Sequence, residues 1–454
     1  MKSSVIGINM QSKGKMNSLV KEPELRNLKG LFFVYAFLII AGIVMPQYFG
    51  IHIGYDITCS RFANLLIIIY MVCSPKIFTH FCKVTAQCAI FWPAALYLCV
   101  AGYTMVFRVD INAFFLVFLE MLTLFMLIYG IRYVVGYKRA IKWVIYCAYF
   151  LSVYGFIEYA CDQSLFLKFF KTMATAVGNS YRSGHYRIMG PCGHALAYGL
   201  VLILFIAFAC LDEERNEINL LKRPVLLFML FCNVFLTGSR STLGIAVLEM
   251  IIILLFSKRK NIKKSLLGVL GLITVLAVFL LLFHQSSMGR YILGQVTSVV
   301  DQFLGTEYAA QFGVSTETLQ NSSEYREVLP EIFKLDWLNP IVGRGAKGFG
   351  GAEINGIYIH SIDNYYVLQY IKYAYPGMIS YILFMIVLLC VLIRDIIESK
   401  SALSKIVLIG GFCYFFNLWW VDALQTLKYM NIAIAIFYAC RLERKDLLRR
   451  QTQK

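Results

Sequence analysis

The sequence predicts an all-α, polytopic integral membrane protein with about twelve transmembrane helices. Hydrophobic residues make up 59% of the 454 positions and charged residues only 15%, whereas soluble domains are about 45–50% apolar and about 25% charged. The apolar residues form blocks of roughly 20, the length that crosses a bilayer. The formal charge of +17 is placed as the positive-inside rule describes, so it gives no reason to invoke a nucleic-acid partner.

Twelve apolar segments are candidate spans. The second is interrupted by Pro75 and Lys76, and the seventh and eighth are separated only by Gly238-Ser239-Arg240, which predicts a tight helical hairpin. The segments are 30–49, 62–80, 84–107, 111–134, 140–161, 194–211, 223–238, 241–257, 265–284, 373–393, 405–421 and 426–440.

The basic residues predict the orientation of these spans. With the N-terminus in the cytoplasm, about two thirds of the Lys and Arg residues fall on the cytoplasmic side, which favours an N-in, C-in topology. The predicted organisation is a cytoplasmic tail, nine spans, an extracytoplasmic cap loop, three spans and a basic cytoplasmic tail. Their bounds are 1–29, 30–284, 285–372, 373–440 and 441–454.

The cap loop between spans 9 and 10 is far longer than a connector needs to be, and such loops are usually functional or disordered. Two amphipathic stretches, about 290–304 and 323–335, predict helices within it. We therefore expect a large, folded, helical outer loop.

The thirteen cysteines contain no C-x-x-C pair, and HExxH and Walker A sequences are also absent. The sequence thus predicts neither a metal nor a cofactor. A disulfide between Cys161 and Cys192, which both lie on the predicted outer side, is left open. The run from Gly343 to Gly348 matches G-x-G-x-x-G, but no βαβ unit surrounds it, so it does not indicate nucleotide binding.

Arg240 is the strongest single candidate for a functional residue. It lies between two apolar spans, at the predicted outer face and beside a helix start at Ser241. A guanidinium group next to free backbone N–H groups forms an anion site. The alternative is an arginine whose side chain reaches lipid phosphate and fixes topology.

Further candidates lie in the two long segments on the predicted outer side, namely 162–193, before span 6, and the cap loop. Arg182 and Arg187 precede span 6 and suit phosphate contacts, although Arg182 also fits a solvated loop charge. Arg326 is a further candidate contact, with a surface ion network as the alternative. His360 has the chemistry of a proton acceptor near neutral pH, and Asp363 is placed to orient it or to replace it; the alternative for His360 is an interfacial loop residue.

Three acids fall inside predicted spans: Glu120, Glu158 and Glu249. Ionisable residues at such positions are functional candidates by default. Glu120, in the middle of its span, has the chemistry of a proton relay or of a buried arginine partner.

Several of these features together resemble the O-antigen ligase and polymerase superfamily of membrane glycosyltransferases. Thr237-Gly238-Ser239-Arg240-Ser241 is similar to the T-x-S-R signature of that family, and Arg187-Ile188-Met189-Gly190, which precedes a span, also resembles the family. Arg326 and the segments Asn339–Gly345, His360–Tyr366 and Tyr375–Met378 follow its order of Arg, "P-hydrophobic-x-G-x-G", His-Asn or Asp-Asn, and a glycine-led span. The resemblance covers about 180–395. The sequence departs from the family pattern in the three residues that separate His360 from Asn364, and in Tyr375-Pro376-Gly377-Met378, which replaces the usual Gly-Leu or Gly-Ile.

The resemblance implies an inverting glycosyltransferase of the bacterial cytoplasmic membrane that uses an undecaprenyl-diphosphate-linked glycan on the outer face. Its implied products are a capsule, an exopolysaccharide or an O-antigen. Arg240, His360 and Asp363 are then the catalytic candidates. Arg182, Arg187, Arg326 and Asn364 are the substrate-binding candidates. The implied partners are the lipid-linked glycan and membrane lipid, with a chain-length regulator and a flippase as candidates.

Polymerisation of repeat units is the preferred function, because nothing in the sequence identifies an acceptor for a ligase. Ligase-type transfer of the glycan to another acceptor is the alternative within the family. A polytopic lipid-glycan transporter is the alternative from a different class, although the chain shows no internal repeat of the kind that transporters have.

Overall fold

The structure, a computed structural model, describes residues 30–52, 56–173, 177–178, 181–182, 184–313, 328–354, 356–359 and 362–452. Within this part the protein is mostly helical. The helices are α1 (Phe32–Val44), α2 (Cys59–Val72), α3 (Pro75–Ala86), α4 (Phe91–Arg108), α5 (Ile111–Gly130), α6 (Tyr137–Ala160), α7 (Leu165–Phe170), α8 (Ala195–Ala209), α9 (Pro224–Leu236), α10 (Arg240–Phe256), α11 (Arg259–Phe283), α12 (Ser287–Leu304), α13 (Tyr365–Ser399), α14 (Ala402–Asn417) and α15 (Leu427–Thr452).

The described strands form four small antiparallel hairpins in the connections between helices. Short π and 3₁₀ turns complete the described secondary structure, including a π turn that extends α5 to Val135 and a 3₁₀ turn over Leu329–Lys334. The hairpins pair β1 (Gly50–His52) with β2 (Asp56–Thr58), β3 (Tyr181–Arg182) with β4 (His185–Tyr186), β5 (Leu211–Asp212) with β6 (Glu217–Ile218), and β7 (Ala352–Ile354) with β8 (Ile357–Ile359).

Several helices are apolar enough to cross a membrane. Among the described residues, three are also long enough, namely the segments Ile111–Val135, Tyr137–Ala160 and Tyr365–Ser399, and the pair α2 and α3 would form a fourth span if its 113° bend is ignored. Eleven of the twelve predicted spans each overlap mainly one described helix, whereas the second, 62–80, is divided between α2 and α3 by the bend. Many of these helices are short. Helices of 13 to 17 residues reach only about 20–26 Å at 1.5 Å per residue, less than a hydrocarbon core of about 30 Å.

The main hydrophobic core runs through the whole bundle. Helix α8 is buried along almost its entire length, and the first half of α15 is buried as well. The hydrophobic sequence of α8 has no polar stripe because neighbouring helices cover all its faces. These two helices therefore form the centre on which the others pack.

Loops from distant parts of the sequence meet at one end of the bundle, which we call the loop end. The side chain of Gln47 donates to the carbonyl of Gln425 (2.8 Å), and the Arg108 guanidinium donates to the carbonyl of Gly343 (2.7 Å). The opposite end, the basic end, is held by ion pairs such as Arg132 with Asp446 (2.8 Å). Each end thus gathers segments that are far apart in the sequence.

The long segment after α11 is partly folded on its own. Residues from Leu329 to Ile371 form a second, smaller hydrophobic cluster against the first turns of α13. The predicted amphipathic stretch 290–304 is confirmed as part of α12, whose N-cap Ser286 accepts the backbone N–H of Gly289 (3.0 Å).

One expectation is corrected, and one question that the sequence leaves open is answered. The predicted helix 323–335 is wrong where it is described, since Leu329–Lys334 forms a 3₁₀ turn; Pro330 lacks the N–H that an α-helix needs. Residues 323–327 lie outside the described residues. Cys161 and Cys192 are both free thiols, so the disulfide is not formed.

Candidate functional site

Glu158 holds the segment that carries Arg187. The carboxylate is fully buried near the C-terminal end of α6 and accepts three hydrogen bonds: from the hydroxyl of Tyr186 (3.0 Å) and from the backbone N–H groups of Met189 and Gly190 (both 2.9 Å). A carboxylate that accepts several hydrogen bonds is satisfied in an apolar interior. The chain on both sides of Arg187 is therefore anchored to the helix bundle.

The Arg187 side chain lies against the turn between α9 and α10. Its Nε donates to the carbonyl oxygen of Thr237 (2.8 Å), and the neighbouring Ile188 N–H donates to Leu236 (3.1 Å). Gly238 has φ +60°, and a Cβ there would meet Arg187 Nε at 3.3 Å. Glycine at this position thus permits both the left-handed turn and the close approach of the guanidinium.

Arg240 is the first residue of α10, so the predicted helical hairpin is confirmed. The Ser239 side chain caps the helix by accepting the backbone N–H of Thr242 (3.4 Å). A helix N-terminus carries partial positive charge. Two arginines and a helix N-terminus consequently meet at one turn of the loop end, an arrangement suited to a phosphate group.

His194 lies beside this turn as the N-cap of α8, where its Nδ1 accepts the backbone N–H of Leu196 (3.1 Å). Burial lowers the pKa of the His194 imidazole; Arg187 lowers it further, and Asp363 opposes this. The ring is therefore neutral at neutral pH, and since Nδ1 accepts a hydrogen bond, the proton resides on Nε2. His194 can donate from Nε2 but cannot act as a base there.

Asp363 and Asn364 occupy the connection that enters α13. Asp363 is close enough to His194 to act on its pKa, which connects the 360s segment with the Arg187 segment. The Asn364 carboxamide oxygen accepts the backbone N–H groups of Tyr366 (3.0 Å) and Val367 (3.1 Å). Asn364 is thus the N-cap of α13, and its oxygen is occupied by that capping role.

The other predicted site residues lie wholly or partly outside the described part of the chain. His360 and Arg326 lie outside the described residues. The backbone of Arg182 pairs with His185 in the β3–β4 hairpin, and its side chain is outside the description. Of the predicted set, the structure places Arg187 against the turn that precedes Arg240, and both Arg187 and Asp363 act on the pKa of His194.

Two contributors escaped the sequence reasoning. The sequence places His194 at the start of the predicted sixth span and not among the candidate site residues, although a polar residue directly before an apolar run is a recognised helix-start signal. The sequence marks Glu158 as an intramembrane acid, but no local pattern indicates its hydrogen-bonding partners, which lie about 30 residues further along the chain. Among the described residues, no group of three or more His, Cys, Asp or Glu side chains is placed to hold a metal ion.

Comparison with known proteins returns no matching family model and no matching curated protein. The family resemblance therefore remains an expectation from the motifs, and the geometry of the site carries the functional proposal.

Proposed function

We propose that the protein is a membrane glycosyltransferase that polymerises lipid-diphosphate-linked oligosaccharide repeat units into a surface polysaccharide. The observation that carries the proposal is the meeting of Arg187 with the turn that begins α10 at Arg240. A buried guanidinium group at Arg187 and a partly exposed arginine at the helix N-terminus match the negative charge that a diphosphate leaving group develops. The site residues come from the segments that carry the family resemblance.

The proposal includes a topology. Twelve spans with both termini in the cytoplasm would place the loop end on the outer face of a bacterial cytoplasmic membrane, in agreement with the bias of Lys and Arg. In this proposal the helices of 13 to 17 residues cross where the bilayer thins around them or where loops pack over their ends. At that face a polyprenyl diphosphate would reach Arg187 and Arg240 from the lipid.

In the proposed reaction each site residue has a separate role. An acceptor sugar hydroxyl attacks the anomeric carbon, the bond from that carbon to the diphosphate oxygen breaks, and polyprenyl diphosphate leaves. Arg240 and Arg187 stabilise the departing charge, with Nε2–H of His194 as a further donor. The hydroxyl proton passes to a base, His360 or Asp363. Attack opposite the leaving group inverts the anomeric centre.

The test uses the purified full-length protein in detergent, given a diphosphate-linked repeat unit, with product length read on a gel. The wild type should produce a ladder, and Arg240→Ala should produce none while remaining folded. Arg259→Ala is the matched control because Arg259 is exposed at the start of α11, at the basic end. Near-normal polymer from Arg240→Ala would remove this residue from the mechanism.

Two other functions fit parts of the structure. Ligase-type transfer to another acceptor would use the same site and differs in the product. A lipid-glycan transporter is favoured by interrupted helices, namely the 113° bend between α2 and α3 and the break in α13 at Ala374 (φ 55°), since broken helices mark many transport sites. Movement of substrate without a new glycosidic bond would support the transporter.

A further inference from the structure

An apolar groove runs between α13 and α14. Two adjoining cavities form it, of about 490 Å³ and about 160 Å³, and both are lined by Ile382, Met385 and Phe415. On α13 the lining extends from Met378 to Leu392, which is about 21 Å of helix at 1.5 Å per residue. The groove therefore leads from the loop end well into the length of the bundle.

The groove opens on the outer surface of the bundle. Ile386 and Phe412, in its lower part, are both 49% exposed, and Trp419, at its upper end, is 58% exposed. In the proposed topology α13 and α14 are two of the spans, so these exposed side chains face lipid chains rather than water. Tryptophan is also typical of the level where lipid head groups begin. A lipid molecule can thus enter the groove from the side, without passing through the bundle.

The walls of the groove favour an apolar occupant. At the upper end, the Tyr366 hydroxyl donates to the carbonyl of Phe415 (2.8 Å), and the Asn364 oxygen is occupied by its capping role. Among the described residues, the lower cavity is lined by Ile, Leu, Val, Met, Phe and Gly alone. A polar ligand group placed there would lose its hydrogen bonds to water without finding a partner, which is costly.

The lining combines flexible and flat side chains. Met378, Met385 and Met430 contribute thioethers, and methionine adapts to an irregular shape because its chain is unbranched and polarizable. An isoprenoid chain carries a methyl branch and a double bond in every unit, so its outline is irregular and its bonds are polarizable. Methionines and aromatic rings complement such a chain. The rings belong to Phe333, Tyr366, Phe412, Phe415, Phe416 and Trp419.

The upper end of the groove adjoins the proposed transfer site. Asn417, the last residue of α14, donates to Thr242 Oγ1 (3.4 Å) in the first turn of α10. Asn364 lines the groove, and Asp363, the residue before it, acts electrostatically on His194. The upper end of the groove and the start of α10 are therefore separated by the width of one helix, about 10 Å.

We propose that this groove binds the polyprenyl chain of the lipid-linked substrate, with the phosphate end of the chain near Trp419 and the chain running towards Leu392. The inference rests on the proposed function, which supplies a substrate with such a chain. Lipid tails are as apolar as the groove, so packing against the methionines and rings, rather than removal from water, provides the preference. A chain held there would present its diphosphate to Arg187 and Arg240.

A photoreactive lipid provides the test. The probe is a short polyprenyl monophosphate whose extended chain matches the groove in length and carries a diazirine at its end. It is added to the full-length protein in phosphatidylcholine nanodiscs, and crosslinked peptides are identified by mass spectrometry after illumination. The labels should concentrate on 386–392 and 407–412, at the lower end of the groove. Excess unlabelled polyprenyl phosphate should abolish them, whereas a straight-chain alkyl phosphate of equal length should not.

Two results would overturn the proposal. One is labelling of the exposed, apolar surface of α11, such as Leu267 and Leu281, to the same extent as the groove. The other is equal competition by the polyprenyl and straight-chain phosphates. Either result would mean that the groove holds ordinary bilayer lipid.

Variants test the groove itself. Ile382 lines both cavities, and Ile382→Trp should fill the groove and lower its labelling roughly 5-fold, the lower end of the effect of extra volume in a packed site. Leu383→Trp is the matched control, because Leu383 is the next residue on the same helix, is 39% exposed and is not part of the described lining. Labelling of Ile382→Trp equal to that of Leu383→Trp would reject the groove as the binding site.

A second variant enters the groove from α14 in case Ile382→Trp does not fold. Gly411 lines the lower cavity, and a Cβ there would meet Met430 Cε at 2.8 Å, the end of a flexible side chain that can move aside. Gly411→Leu should therefore fold and should also lower the labelling. Unchanged labelling in folded Gly411→Leu would contradict the proposal.

The labelling needs no turnover, so it separates this proposal from the proposed function. Specific labelling of the groove in a wild-type protein that makes no polymer would keep the groove and reject the polymerase. Polymer formation without specific labelling would keep the polymerase and reject the groove. In the polymer assay, Ile382→Trp should raise the KM for the lipid-linked repeat unit and leave kcat near the wild-type value, as expected for an interaction made equally in the ground and transition states.

Discussion

At the scale of single residues, the candidate site depends on a carboxylate that does not belong to it. Glu158 accepts three hydrogen bonds from the segment around Arg187, whereas both oxygens of Glu249, a second fully buried acid, have no hydrogen-bond partner among the described residues. The sequence treats the two acids alike, because each is a single Glu in an apolar run. Only the partners distinguish them, and partners come from the fold.

This difference gives the first prediction. Glu158→Leu leaves three buried donors unpaired and should lower the free energy of unfolding by about 3 kcal/mol, since each buried unpaired group costs about 1–3 kcal/mol. Glu249→Leu removes a buried acid without such partners and should be neutral or stabilising. Thermal unfolding of both variants in one detergent measures the comparison. Equal destabilisation by the two substitutions would contradict the anchoring role of Glu158.

The second prediction concerns pH. Burial lowers the pKa of His194 below its ordinary value of 6.5, so the unfolded imidazole takes up a proton first as the pH falls. The stability contributed by neutral His194 is therefore present above pH 6.5 and is lost on acidification below it. His194→Asn keeps an N-cap side chain without a titrating group, so its unfolding temperature should fall less between pH 7 and pH 5. If the unfolding temperatures of the wild type and of His194→Asn fell equally between pH 7 and pH 5, the titration of His194 would not explain the loss of stability.

At the scale of elements, the break in α13 explains the glycine-rich motif. The Arg344 N–H donates to Ile371 (2.8 Å) and the Tyr375 N–H donates to Pro340 (3.2 Å), so the segment 339–345 lies along the interrupted helix. Arg108 holds the same segment through the carbonyls of Val342 (2.9 Å) and Gly343 (2.7 Å). The glycine spacing is visible in the sequence. In the structure these glycines let the segment pack against the broken helix, and this packing accounts for the motif without a nucleotide.

Gly343 therefore carries the third prediction. A Cβ at this position would meet the carbonyl oxygen of Lys372 at 2.1 Å, and backbone cannot move aside as a flexible side chain can. Gly343→Ala should cost about 3 kcal/mol of stability, at the upper end for overpacking. Thermal unfolding in detergent measures the loss.

Gly271 is the matched control for that substitution. It lies within α11, and a Cβ at this position would meet no atom within 4 Å. Gly271→Ala should raise stability by about 0.5–1 kcal/mol through helix propensity. If Gly343→Ala and Gly271→Ala changed the stability by the same amount, the close approach of Gly343 to Lys372 would not be what constrains this segment.

At the scale of the whole molecule, the order of helices could be predicted and the site could not. Hydrophobicity is a local property, so each apolar run marks a helix, and glycine and serine mark the turn before Arg240. The approach of Glu158, Arg187 and Asp363 depends on how three distant segments pack at the loop end. Pro75 indicates the bend after α2, because proline interrupts a helix. The lengths of the remaining helices depend on packing and capping, which a local pattern does not show.

The last prediction tests the proposed topology with the intact protein. Cys161 is exposed at the loop end, after α6, and Glu214 is exposed in the turn between β5 and β6, among the ion pairs of the basic end. If the loop end faces outward, a membrane-impermeant maleimide should label Cys161 in whole cells, whereas E214C should react only after the membrane is opened. The positive-inside bias is the physical reason, because Lys and Arg resist translocation. Labelling of E214C in intact cells, with Cys161 protected, would place both arginines in the cytoplasm, where a glycan assembled outside the membrane does not reach them.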